Sequence, residues 1–209
     1  MPRARASLWA GAALLVAAAM LTVGILIGVD DGPLPIDRAW QDFLVPLRGP
    51  VLLWFSFAMD VIGGGWMAIL VVPLGGAALL FALRRPWGAA YFLVAEVASV
   101  AFVQVLKHLV GRARPEDILV LSDFGSFPSG HVANAATVAM ALFVLFPRVW
   151  TAVAGAAWVV LMAFSRTYLG AHWLSDTVGG ALIGAAAALL VAAAFAKPLR
   201  REALDKVTA

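Results

Sequence analysis

A chain of 209 residues, 63% of them hydrophobic and only 13% charged, with a mean hydropathy of +0.95, is too apolar for a soluble domain, where about half of the residues are apolar. The formal net charge of +3 sits in short patches between long apolar runs, so it marks membrane orientation and gives no ground for a nucleic-acid partner. Cysteine is absent, which excludes disulfides and thiolate metal sites.

In chain order, the first expected span covers residues 8–28. Its apolar run follows Arg3 and Arg5 as in a signal peptide but is longer than a signal core, and it ends at Asp30-Asp31-Gly32-Pro33. Residues 35–44 place Ile36, Trp40, Phe43 and Leu44 on one side of a short amphipathic helix lying on the membrane surface. Residues 51–83 are apolar for longer than the roughly 20 residues a crossing needs, with Asp60 and Gly63-Gly64-Gly65 early in the run. The second span is therefore placed at 57–82, and Arg84-Arg85-Pro86 separates it from a third at 87–109.

Residues 111–127 form a polar loop. A short fourth span at 131–146 turns tightly at Pro147-Arg148 into a fifth at 150–165, which packs antiparallel beside it. A sixth occupies 173–196, followed by a basic tail with Lys197, Arg200, Arg201 and Lys206. With six spans, the basic residues at the N-terminus, Arg84, Arg85, Arg148 and the tail share one side, which the positive-inside rule makes cytoplasmic. The acidic residues Asp30, Asp31, Asp37, Asp42, Glu116, Asp117 and Asp123 share the other. Trp9, Trp87, Trp150 and Trp173 fall near span ends as an aromatic belt, and Gly180 and Gly184 form a small-xxx-small helix-packing pair. No repeat or linker divides the chain, so residues 1–209 read as one domain: an all-α integral membrane bundle of six transmembrane helices with a short amphipathic interfacial helix. The Ala- and Val-rich spans and short loops suggest a bacterial source.

This topology gathers three polar clusters at the outward ends of spans three to six: Lys107 with Arg114-Pro115, then Pro128-Ser129-Gly130-His131, then Ser165-Arg166 with His172 and Asp176. A helix starting near Gly130 aims its first N–H groups and its dipole at an anion, with Ser129 as a favoured N-cap residue. Arg114 and Arg166 offer planar forks for phosphate oxygens, and Lys107 adds a mobile charge. His172 and Asp176, four apart, share a helix face if the helix includes both, so the carboxylate can hold the Nδ1 proton and leave Nε2 nucleophilic. His131 is then free to act as general acid and base. Blander readings stand beside these: a satisfied interfacial His–Asp pair, and cations snorkelling to headgroups. A metal site needs more ligands than the pair offers and is opposed by three nearby cations. His108 reads as an interfacial anchor. Asp60 and Glu96 are intramembrane carboxylates and functional candidates by default, and Glu96 shares nearly one helix face with Lys107, as a support below the pocket would.

The spacing Lys107-x6-Arg114-Pro115, Pro128-Ser129-Gly130-His131 and Ser165-Arg166-x5-His172-x3-Asp176 resembles the three-part signature of the type 2 phosphatidic acid phosphatase superfamily, which also holds lipid phosphate phosphatases, isoprenoid diphosphate phosphatases and vanadium haloperoxidases. The resemblance covers residues 107–176. It implies metal-independent, cofactor-free phosphoryl transfer in two steps. By it, His172 carries the phosphoryl group, Asp176 orients it, His131 is acid and then base, and Lys107, Arg114, Ser129, Gly130 and Arg166 bind phosphate. The haloperoxidases are soluble, unlike this chain. The chain resembles the small bacterial members that dephosphorylate phosphatidate, phosphatidylglycerophosphate or undecaprenyl diphosphate, with an outward-facing pocket, a substrate held in the bilayer and no evident need for a protein partner. A lipid phosphotransferase with the same intermediate, and a binder or transporter that only holds lipid phosphate, are the competing functions.

Overall fold

The computed structural model describes residues 2–28 and 33–205. Asp30, Asp31 and Lys206 lie outside them. The described residues form helices α1 (Pro2–Gly28), α2 (Pro35–Leu44), α3 (Pro50–Gly63), α4 (Val72–Ala82), α5 (Pro86–Val110), α6 (Gly130–Leu145), α7 (Val149–Tyr168), α8 (Leu174–Ala194) and α9 (Ala196–Asp205). Prolines open α2, α3 and α5 at positions where a missing N–H costs nothing. Gly111 ends α5 in the left-handed region, at φ +59°, and its N–H closes on the Lys107 carbonyl.

Among the described residues, four segments are long and apolar enough to cross a membrane: Ala6–Val23, α5, α7 and α8. The pair Pro50–Gly63 and Met67–Ala82, bent by 45°, passes the same test when taken together and makes a fifth if it crosses as one. The expected second span thus starts seven residues earlier than its pattern suggested and is broken, because the glycine run 63–65 ends α3 and a π-helical turn, Met67–Val71, restarts it. α6 has 16 residues, fewer than the usual minimum for a span. Large apolar side chains stand exposed along the helices, among them Trp54, Val97 and Val153, as a lipid-facing surface requires.

α8 is the central helix, packed against α1, α5 and α6. Its buried face is almost wholly small: Gly179, Gly180, Gly184, Ala186, Ala187 and Ala188. A Cβ on Gly180 would strike the Ser129 carbonyl, and one on Gly184 the Ala133 carbonyl, both in the backbone of α6 or its cap. The expected packing pair is therefore the seat of α6, and the Ser129 N–H adds a hydrogen bond to the Asp176 carbonyl at 3.0 Å. Close approach of these two backbones fixes the start of α6 beside the start of α8.

At the opposite end of the bundle, Arg85 lies over the Phe146 ring at 4.7 Å. Buried Glu202 of α9 accepts the N–H groups of Trp87 and Gly88 at 2.7 and 3.2 Å, so a tail that reads as merely basic supplies a cap to the N-terminus of α5.

Candidate active site

The three sequence clusters meet where α5 ends, α6 and α8 begin and α7 ends. Lys107, 2% exposed, donates to the Gly125 carbonyl at 2.8 Å and approaches Asp123 at 3.2 Å. Arg114 donates to the carbonyls of Ala171 at 2.5 Å and Gly125 at 2.7 Å and pairs with Asp123 at 2.8 Å. The polar loop is thus folded back over its own cations.

His172 lies before α8, not within it, since the helix starts at Leu174. The shared-face arrangement with Asp176 is accordingly replaced by another. His172 Nδ1 is 2.7 Å from the Ser126 carbonyl and 3.7 Å from Asp176 Oδ2. A carbonyl only accepts, so Nδ1 carries the hydrogen and Nε2 keeps its lone pair, 3.4 Å from Arg114 Nη1. Asp176 instead accepts the Trp173 N–H at 2.8 Å and closes the first turn of α8. Burial holds the His172 pKa well below the ordinary value of 6.5, and the charges of Arg166, Arg114, Lys107 and His131 push in the same direction. A buried, neutral imidazole whose Nε2 keeps its lone pair is a nucleophile. Arg114, outside the helices, is also lowered by burial, with Asp123 opposing.

Across the site, His131 Nε2 lies 3.3 Å from Asp60 Oδ1. Asp60 also pairs with Arg166. At the site, two buried donors are left over: Ser129 Oγ and Arg166 Nε have no hydrogen-bond partner among the described residues. Ser129 is the N-cap residue of α6, as expected, but its hydroxyl makes no capping bond. An unsatisfied buried donor costs about 1–3 kcal/mol, and an oxyanion bound here would satisfy both.

The sequence reading missed Asp37 and Arg112. Arg112 joins Asp37 Oδ2 at 2.7 Å to Asp176 Oδ1 at 2.5 Å and reaches Ser175 Oγ at 2.8 Å. Asp37 receives the Ser175 N–H and hydroxyl, both at 2.7 Å. The surface helix α2 therefore buries an acid on its inner side while Ile36 and Phe43 stay exposed. Arg112 lies two residues from Arg114, and a second arginine so near the first in the polar loop was the available signal. Glu96 is buried and accepts from Asn134 at 3.0 Å, one turn along α6 from His131. His108 Nδ1 donates to the Gln104 carbonyl one turn earlier at 2.8 Å, beside the Phe124 ring.

A family model described as the PAP2 superfamily matches residues 88–200. The chain belongs to that superfamily. A lipid A 1-phosphatase of Rhizobium johnstonii is 29% identical over 190 residues, covering 85% of this chain and 75% of that protein. Phosphatidylglycerophosphatase B of Bacillus subtilis is 30% identical over 159 residues, covering 71% and 77%. The crystal structure of a transmembrane PAP2-type phosphatidylglycerolphosphate phosphatase from Bacillus subtilis matches with a TM-score of 0.79 and 25% identity over 90% of this chain and 97% of that one. The enzyme class expected from the sequence, a phosphoric monoester hydrolase of the PAP2 type, accords with these relatives, and the apolar helices make the chain a multi-pass membrane protein.

Proposed function

We propose that this protein is a membrane-embedded lipid phosphatase that removes a phosphate or diphosphate headgroup, of the phosphatidate, phosphatidylglycerophosphate or undecaprenyl diphosphate type, through a phosphohistidine intermediate. The observation that carries this reading is His172 giving its Nδ1 hydrogen to the Ser126 carbonyl, which leaves the Nε2 lone pair beside Arg114 and near the two unsatisfied donors Ser129 Oγ and Arg166 Nε. Lys107, Arg114, Arg166, Ser129 and the N–H groups at the start of α6 hold the phosphate. His172 Nε2 attacks phosphorus, the ester P–O bond breaks, and His131 gives its proton to the leaving oxygen. His131 then takes a proton from water, whose oxygen attacks the phosphohistidine and breaks the P–N bond. Asp176, fixed by Arg112 and the Trp173 N–H, holds the frame around His172. Three cations at the phosphate site supply the charge that a metal supplies elsewhere and would repel a divalent ion.

In the bilayer we place six spans, counting the bent pair once and α6 as a short crossing, with both termini cytoplasmic and the site on the outer face. Support comes from charge: Arg84, Arg85, Arg148, Arg200 and Arg201 gather at the end opposite the site. Lipid tails then stay in the bilayer while the headgroup reaches the cations. Phosphate release by the purified protein, with chelator present, is the test. Chelator-resistant release from one of the three lipids that vanishes in His172→Ala supports the reading, and release that survives His172→Ala overturns it.

A further inference from the structure

Asp60 lies outside the residues that the family model matches, on the half of the chain that carries no recognised motif. Its carboxylate nevertheless reaches two of the proposed functional groups, His131 at 3.3 Å and Arg166, and it is 28% exposed at the side chain. Its own carbonyl oxygen is 3.2 Å from the same His131 Nε2. The chain just beyond it is built around that ring. A Cβ on Gly64 would strike His131 Nε2 and Cε1, and one on Gly63 would stand 3.1 Å from Cδ2. The break in the second span thus gives His131 its room, and Asp60 sits one turn before the break.

We propose that Asp60 is a positioning residue for proton transfer: it fixes the His131 ring through Nε2 and steadies the imidazolium form needed to protonate the leaving oxygen. This rests on the phosphohistidine reading above. Because the Asp60 carbonyl only accepts, Nε2 carries a hydrogen, and Nδ1 is the nitrogen that gives up its proton as the P–O bond breaks and recovers one from water in the second step. Arg166, held by the same carboxylate, disfavours a second positive charge nearby, and Asp60 offsets it. The two histidines are thereby made different. Asp176 is engaged by Arg112 and stands 3.7 Å from His172, which is left neutral as the nucleophile. Asp60 turns its charge directly on His131. The same carboxylate holds Arg166 by Nη1 and leaves its Nε without a partner, so the free edge of the fork is kept for the ligand.

The test uses the leaving group. p-Nitrophenolate departs without a proton, whereas an alkoxide needs one. We would compare kcat/KM for octyl phosphate and p-nitrophenyl phosphate in detergent, using wild type, Asp60→Asn, Asp60→Glu and His131→Asn. General acid catalysis is worth about 10²–10⁴, so Asp60→Asn, which weakens the acid without removing it, should lose about 10- to 100-fold on octyl phosphate and at most a tenth of that on p-nitrophenyl phosphate. His131→Asn should show the same split more strongly, and Asp60→Glu should recover part of the loss. An equal loss on both substrates makes Asp60 a structural prop and overturns the inference, as does no loss on either. Should Asp60→Asn not fold, the same split is read from Asp60→Glu. His172→Ala is the separate control: turnover surviving it sinks the phosphohistidine reading, whatever Asp60 does.

Discussion

Asp176 Oδ1 and Arg112 Nη1 stand 2.5 Å apart with both side chains almost wholly buried, and the same guanidinium holds Asp37 at 2.7 Å. One cation thus balances two buried carboxylates. Removing it leaves both uncompensated, and breaking a buried pair costs about 3–5 kcal/mol. Arg112→Met should therefore lower the thermal unfolding midpoint in detergent sharply. In any folded fraction it should reduce kcat at least about tenfold, as the misplacement of a catalytic frame does, with KM changing less, because the Arg112 fork is spent on Asp37, Ser175 and Asp176. Adding Asp37→Asn to Arg112→Met removes one of the stranded charges and should recover part of the lost stability; a double variant no more stable than the single one would contradict this account.

The pH behaviour of His172 has a definite sign. Its pKa is held well below 6.5 by burial first, then by Arg166, Arg114 and Lys107. Protonation is therefore postponed to acidic pH, and the nucleophile remains active as pH falls through the range where an ordinary histidine is lost. Arg114→Gln removes one of the charges responsible. The acidic limb of its kcat profile should then move to higher pH than in wild type. Comparing the two enzymes on one substrate cancels the substrate's own ionisation. For stability the unfolded state binds the proton first, so this residue's contribution is lost as pH drops from the unfolded value toward the folded one.

The legible part of the site consists of Lys107, Arg114, His131, Arg166, His172 and Asp176: polar groups that stand out against apolar spans and whose clusters the alternation of helices brings to one end. Their partners were not legible. Arg112 is 75 residues from Asp37 and 64 from Asp176, and Arg166 is 106 from Asp60, and no local periodicity encodes such pairings. Asp60 was visible as an intramembrane carboxylate, but not what it binds. The amphipathic pattern of residues 35–44 located α2 correctly, while a half-apolar helix says nothing of an acid turned inward to a guanidinium. The His172–Asp176 spacing says nothing of the Ser126 carbonyl, 46 residues away, that takes the Nδ1 hydrogen, because His172 precedes the start of α8 at Leu174; the second span differs from its pattern because a glycine run breaks a helix that hydropathy alone reads as continuous.

Gly184 offers a check on the packing that aligns the two histidines. A Cβ there meets the Ala133 carbonyl, which is backbone and unable to rotate away. Gly184→Ala should separate α8 from α6 locally and cost about 1–3 kcal/mol, the usual penalty of overpacking. Gly75→Ala, where nothing lies within 4 Å of the added carbon, is the matched control and should leave the unfolding midpoint unchanged or slightly raised. Equal midpoints for the two variants would mean that the α6–α8 contact is looser than the geometry requires.

Asp123 leads to a prediction of opposite sign from that for any other carboxylate at the site. It pairs with Lys107 at 3.2 Å and Arg114 at 2.8 Å, the two cations nearest the loop, and its side chain is 60% exposed. A phosphate entering the site competes with it for the same donors. Replacing Asp123 with Asn keeps the size and removes the competing charge, so the cations are free to meet the ligand. Inorganic phosphate should then inhibit more tightly, by a few-fold only, since so exposed a charge is well screened. The gain should shrink as salt is raised. Product release from a tighter site is slower, so kcat should fall or hold steady while KM falls. Titrating phosphate inhibition of wild type and Asp123→Asn at low and high salt reads both effects, and weaker inhibition in the variant would show that Asp123 orders the cations for phosphate more than it competes for them.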